Sequence, residues 1–356
     1  MRLAVGVSTA LAIALSGGAA LAAPPPPAAM PASAASAAAP AAKLSPADQK
    51  RLAAIQQYQH DLVNVVALRA EPDYLLGAAI LAEPFKNLIP ELEPAALSAR
   101  AAAAPNAGPA VEWARLDVCK SDAECPNPDA FAFLKKHAST NAAVWLIALD
   151  VAAEKKDAAG ELAALKQAAA AQTYDDYYGK ALAGVAKATT VLPPLPDTTA
   201  GAHDGQPDTP DGVRVLIAVR ATQDHLRPNL APLLRLCGPD AAAKAQDARA
   251  ACLRLAHTLQ WGSSPIGRAV GLRIQAGLDP ADKAENDQAS QNLAWQMQQY
   301  SALLQRALTD APLASQWLAL ARTGGTELSL VLATLRANDI PIEAPAGAAP
   351  ATSTGS

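Results

Sequence analysis

Residues 141–175 read NAAVWLIALDVAAEKKDAAGELAALKQAAAAQTYD, and their apolar spacing sets the fold class. In the first part, Ala142, Trp145, Leu149 and Ala152 form one stripe at helical spacing, while Val144, Ile147 and Val151 form a second on the nearly opposite side. A helix apolar on two faces requires neighbours on both. After the charged turn Glu154-Lys155-Lys156-Asp157, the second part places Ala158, Leu162, Leu165 and Ala169 on one face, with Glu161, Lys166 and Gln167 elsewhere. This helix requires a neighbour on one side only. An inner helix joined to an outer one by a short polar turn is the unit of a stack of helical hairpins.

The same period recurs outward from this pair. Ser45-Pro46-Ala47-Asp48 supplies a capping hydroxyl, a proline suited to the first helical position and an acid in the first turn. Leu52, Ile55, Leu62, Val63 and Val66 then share a face, and Pro72 ends or restarts the pattern. Further helical windows lie near 73–82, 94–104, 109–118, 128–137, 174–188, 212–224, 229–236, 245–260, 265–276, 287–309, 312–322 and 326–337. Only the short run 213–219 is ambiguous between helix and strand. The chain is 51% hydrophobic but only 4% aromatic, so its apolar content is mostly small aliphatic side chains that favour helices over a sandwich or barrel. The expected fold is all-α: stacked helical hairpins in an α-solenoid superhelix, arranged in two halves.

Asn141 to about Asp175 has the length of a tetratricopeptide repeat and resembles a degenerate one, with Trp145 early in the first helix, a polar turn and a second amphipathic helix. Ala148 and Leu149 stand where that pattern has Leu-Gly, Ala152 stands where it has Tyr, and Glu161 falls near its small alanine. Trp317-Leu318 has a similar setting at a different spacing to the next helix. The resemblance implies a TPR-like architecture, leaves the partner open and carries over no catalytic residue.

The chain divides by composition. Met1-Arg2-Leu3, an apolar run to Leu15 and the small-residue tripeptide Ala20-Leu21-Ala22 have signal-peptide anatomy, with cleavage expected after Ala22. No cysteine lies near that point to take a lipid anchor, and the run is shorter than the ~20 residues of a membrane-spanning helix. Residues 23–44 are Ala, Pro and Ser almost throughout and are expected to be an extended, disordered linker. A helical region over 45–190 follows, then VLPPLPDTTAGAHDGQPDTPD at 191–211 as linker or long loop, a second helical region over 212–340, and a frayed tail over 341–356. The expected location is periplasmic or secreted. With Lys+Arg 29 against Asp+Glu 33, the net charge of −4 supplies no field to attract nucleic acid or an anionic membrane.

The four cysteines fall as Cys119-x5-Cys125 and Cys237-x14-Cys252, and two local disulfides are the simplest of three connectivities in an exported chain. Zinc held by Cys119, Cys125 and His137 lacks a fourth ligand at finger-like spacing, and neither pair is the Cys-x-x-Cys of redox catalysis. His60, His137, His203, His225 and His257 stand in no metal or nucleophile motif and are expected at the surface; no nucleophile elbow or phosphate-binding glycine loop occurs, so no cofactor is expected. Gly262-Ser263-Ser264-Pro265 reads as the cap of a helix. Glu327 is the one acid in a loop-to-helix setting that suggests glycan cleavage, although Thr326 capping a helix with Glu327 in its first turn explains the same residues.

Thr173 to Tyr178 gathers Tyr174, Asp175, Asp176, Tyr177 and Tyr178, an aromatic and acidic patch suited to a basic peptide or polar ligand. The structural alternative is a Thr173 cap, acids in the first turn and tyrosines packed inward. Gln59, beside Gln56 and Tyr58, interrupts the first apolar stripe and is expected at the edge of the core. These readings imply a non-enzymatic, exported helical-repeat scaffold for a protein or peptide. The alternatives are a cell-wall glycan hydrolase or glycan-binding protein, and a helical carrier of a small apolar ligand.

Overall fold

Among the described residues proline opens eight of the sixteen α-helices, because its fixed φ suits the first turn and its missing N–H would have no partner there. In the computed structural model, which describes residues 46–85, 87–119, 125–195, 202–203, 206–242 and 246–345, the chain is all-helical. The expected signal peptide (1–22) and linker (23–44) lie outside the described residues. The first half comprises α1 (Pro46–Val66), α2 (Pro72–Ala82), α3 (Pro94–Ala103), α4 (Pro109–Ala114), α5 (Pro128–His137), α6 (Ala142–Glu154), α7 (Ala158–Ala170) and α8 (Tyr178–Ala188). The second comprises α9 (Pro210–Ala221), α10 (Ala231–Leu236), α11 (Pro239–Ala242), α12 (Gln246–Gln260), α13 (Pro265–Leu278), α14 (Lys283–Ala307), α15 (Ala311–Arg322) and α16 (Glu327–Arg336). The ambiguous run 213–219 lies inside α9. Strand structure among the described residues is limited to an antiparallel ladder of Ala202–His203 with Gln206–Pro207 and an isolated bridge.

Side-chain caps fix many of these ends. Asn127, Asn141, Asp157, Thr209, Ser264, Asp310 and Thr326 each accept from a backbone N–H in the first turn of the helix that follows. Both cysteine pairs are joined, Cys119 to Cys125 and Cys237 to Cys252.

Residues 45–344 form one compact unit with two apolar clusters. One gathers Leu62, Val63 and Val66 of α1 with residues of α2, α8, α9 and the last three helices, around Trp317. The other gathers α5, α6 and α7 with α10, α12 and α13, around Trp113. Each cluster draws on residues from both sides of 191–211, so this segment does not separate two cores. Val191, Leu192 and Leu195 pack against the first cluster, and Arg214 donates to the Leu192 carbonyl. The expected tail also begins later than 341: Trp295 and Gln296 of α14 donate to the carbonyls of Pro341 and Ile342.

The 141–170 hairpin forms, and α6 is buried on both faces as its two stripes require. Its partner differs from the expectation. Leu162 is 40% exposed, while Glu161 is buried and paired with Arg235 at 2.7 Å. The buried stripe of α7 is therefore Glu161, Ala164, Leu165, Ala168 and Ala169, and α7 packs chiefly against α6 and α12. In a helix so rich in alanine a neighbouring stripe is almost equally apolar, and the second neighbour selects between them. After α7 the chain leaves this layer: α8 packs on α2, and α12 and α13 continue beside α7.

The α2–α8 crossing is close because glycine faces glycine. A Cβ on Gly77 would meet the backbone carbonyl of Gly184. This contact brings α8, and the segment that leads into it, against the start of the chain's helical body.

Candidate functional site

The residues singled out in 174–178 lead into α8 and lie mostly inside the protein. Tyr174 is 4% exposed and Asp176 0%, while Asp175, Tyr177 and Tyr178 are half-buried. The helix does not start at 174. Asp175 and Asp176 accept from the backbone N–H groups of Tyr177 (2.8 Å) and Tyr178 (3.3 Å), and Tyr177 stands at φ 57° as the N-cap. Such local side-chain bonds offer the backbone an alternative to the helix. Asn141 ties the segment to α6: its amide donates to the Asp175 carbonyl at 2.7 Å and accepts from the Asp175 N–H at 2.9 Å. The face expected to receive a basic peptide is therefore chiefly an internal junction.

What surrounds it comes from distant sequence. Ser263 accepts from the Asp176 N–H (3.3 Å) and donates to its carboxylate (3.4 Å), while the Ser263 carbonyl accepts from the Leu328 N–H (2.9 Å). The Tyr174 ring lies against Gly262 and Gly267, where a Cβ would come within 2.7 and 2.6 Å of it. His225 Nε2 meets the Asp176 carbonyl at 2.7 Å, and the Arg227 guanidinium lies 4.9 Å from the centre of the Tyr178 ring. Arg227 also reaches Glu327, 3.2 and 3.3 Å from its two carboxylate oxygens. Thr222 donates to the Tyr178 hydroxyl at 3.2 Å, and Trp317 donates to Tyr300 at 3.0 Å. His225 is thus packed into the junction, contrary to the surface position expected for it, because the connection after α9 folds inward onto 174–178.

Burial controls the electrostatics here. It raises Glu327 to about 7, with the Asp176 charge adding to the shift and Arg227 opposing it. It lowers His225 to about 4 and raises Tyr178 to about 12. Asp176 is raised by the same desolvation, opposed by the Tyr178 N–H, Arg227 and the serine hydroxyls. Removing a carboxylate from water penalises its charged form more than these partners compensate.

A second feature lies at the first apolar stripe. Leu62, Val63 and Val66 are buried, but Ile55 and Leu52, about two and nearly three turns before Leu62 on the same face, are only half-covered. They form one wall of a groove of about 430 Å³, with Leu216 and Ile217 of α9 opposite and Phe85 at the side. Gln59 lies at the edge, as expected, and donates to the Leu81 carbonyl at the end of α2 (2.8 Å). Gln56 and Arg220 complete the polar rim, and among the described residues Arg220 forms no ion pair. Arg220 is close enough for its charge to help lower the Arg51 pKa, behind the larger effect of burial. Glu83, directly before the groove residue Pro84, lies near Asp117 and Asp224, which help burial to raise its pKa. Arg220 is the charged side chain in the groove lining itself.

No described group of His, Cys, Asp and Glu side chains has the geometry of a metal site, and no described helix is long and apolar enough to cross a membrane. The chain matches no protein-family model, no curated protein and no solved structure.

Proposed function

We propose that this protein is a non-catalytic helical-hairpin scaffold, working outside the cytoplasm, that holds a peptide segment of a partner protein in the groove between α1 and α9. The observation that carries this reading is the half-covered Leu52 and Ile55 facing Leu216 and Ile217 across an open groove. Apolar side chains of a peptide would fill the floor, the amide of Gln56 would pair with its main chain, and Arg220 would meet an acidic group of the segment. The two cysteine bridges suit an oxidising compartment.

The test is a peptide library presented to the intact, oxidised protein, with affinities measured by fluorescence anisotropy. Ile55→Asp and Leu216→Asp should each weaken a selected peptide at least tenfold, because a charge would then face the apolar floor. The reading fails if no peptide is selected, or if binding is indifferent to both changes. Co-purification of a lipid that occupies the groove would favour the small-ligand carrier instead.

One observation favours a second reading, glycan cleavage: a carboxyl raised to about 7 suits a general acid at neutral pH. Release of wall fragments by wild type but not by Glu327→Gln would establish it.

A further inference from the structure

The connection 222–230 joins α9 to α10 with no helix or strand of its own and is held in place largely by side chains. Thr222 donates to Tyr178, His225 meets the Asp176 carbonyl, Trp113 donates to the Leu226 carbonyl at 3.0 Å, and Asn229 donates to Asp150 at 2.9 Å. The fifth tie is different in kind. Arg227 and Glu327 are oppositely charged, 100 residues apart, and join this connection to the first turn of α16. We propose that Glu327 and Arg227 form a proton-sensitive latch, which pins the connection 222–230 to the start of α16 while Glu327 is ionised and frees it when Glu327 takes up a proton.

The geometry gives this pair its leverage. The Glu327 side chain is 15% exposed and that of Arg227 31%, so water screens the pair incompletely. Asp176, Tyr174 and Asp175 face the junction from the segment before α8, Tyr178 from its first turn, His225 and Arg227 from the connection, and Tyr300 from α14. Lys180 of α8 lies beside Gly324, close to the start of α16. Asp176 disfavours charge on Glu327, and Arg227 is the opposite charge that favours it. Protonation turns the ion pair into a weaker bond from the Arg227 cation to a neutral carboxyl and removes the attraction between opposite charges. Arg227 keeps its contact with the face of Tyr178 in either state. The changeover falls near neutral pH, well clear of His225, which is held down to about 4.

The latch is independent of what fills the groove, and its test uses no ligand. The full-length, disulfide-bonded protein, labelled with nitrogen-15 and deuterium, is titrated from pH 5.5 to 8.5 by NMR. The backbone amides of 225–227 and 327–329 should move together with one midpoint within about one unit of 7, and the Arg227 Nε–H signal should broaden on the acid side as the side chain loosens. Glu327→Gln should remove that midpoint from both segments, whereas Asn229→Ala should leave it in place. The latch is refuted if 327–329 titrate while 225–227 do not follow, or if neither segment titrates in this range. If Glu327→Gln does not fold, the wild-type co-titration decides.

Discussion

Replacing Glu327 by glutamine keeps its shape and removes its titration, and the change should be visible in global stability. In the fold the carboxyl ionises at about 7; its ordinary value is 4.5. Below 4.5 folded and unfolded chains both hold the proton. Between the two values the folded chain binds more of it, so the Glu327 contribution is lost as pH rises through 7 and is constant above. A shift of this size corresponds to roughly 3 kcal/mol at about 1.4 kcal/mol per pKa unit. The Arg227 charge is already part of that value, and the remaining difference, glutamine against the protonated carboxyl, adds an offset that does not vary with pH. Urea denaturation of both proteins, followed by circular dichroism from pH 4.5 to 8, gives the assay. The stability of Glu327→Gln minus that of wild type should rise by about 3 kcal/mol across the range, whatever its starting sign. A difference constant to within about 0.5 kcal/mol would refute the reasoning, because it would place the carboxyl at its ordinary pKa. His225 runs the opposite way. Its folded value of about 4 lies below the ordinary 6.5, so its contribution is present above 6.5 and lost as pH falls through 4. Between 4.5 and 6.5 the fold therefore holds both groups neutral, while the unfolded chain holds both charged, and their pH effects oppose each other.

Other outcomes follow from packing and covalent links. Gly77→Ala should cost about 1–3 kcal/mol, read as a lowered Tm, because the new Cβ would strike the Gly184 carbonyl and force α2 and α8 apart. Asn141→Ala removes the α6 cap and both bonds to Asp175 and should destabilise by about 2 kcal/mol in chemical denaturation, more than a cap alone costs on average. Thiol reagents should label no cysteine of the native protein until reductant is added, and Cys237→Ser with Cys252→Ser should lose about 3 kcal/mol for the longer loop.

Helix spans were readable because their ends carry local chemistry: prolines at first turns and Asn, Asp, Ser or Thr at caps. Where the sequence reading went astray, the deciding contact was either too local or too remote for a helical period to register. The start of α8 shifted from 174 to 178 because Asp175 and Asp176 bond to the next backbone amides. The inward face of α7 turned on α12, some eighty residues away. Tyr174 and Asp176 belong to the interior because Ser263 closes on them. Nothing near His225 or Arg227 in the sequence announces that partner. Leu52 and Ile55 share the helical face of Leu62 and Val66, with Gln59 interrupting the stripe between them, and spacing alone does not tell an open groove from a filled core.

The sharing of both cores across 191–211 governs how the chain can come into being. The cluster around Trp317 uses Leu62 near the start and Leu335 near the end, and the cluster around Trp113 waits for Ile274 and Leu278. A polypeptide delivered from its amino terminus thus exposes leucine and alanine surfaces through most of its synthesis or transport. Its first hundred and ninety residues have helices but nowhere to finish burying them. Neither core can close until the helices that follow 191–211 have joined it.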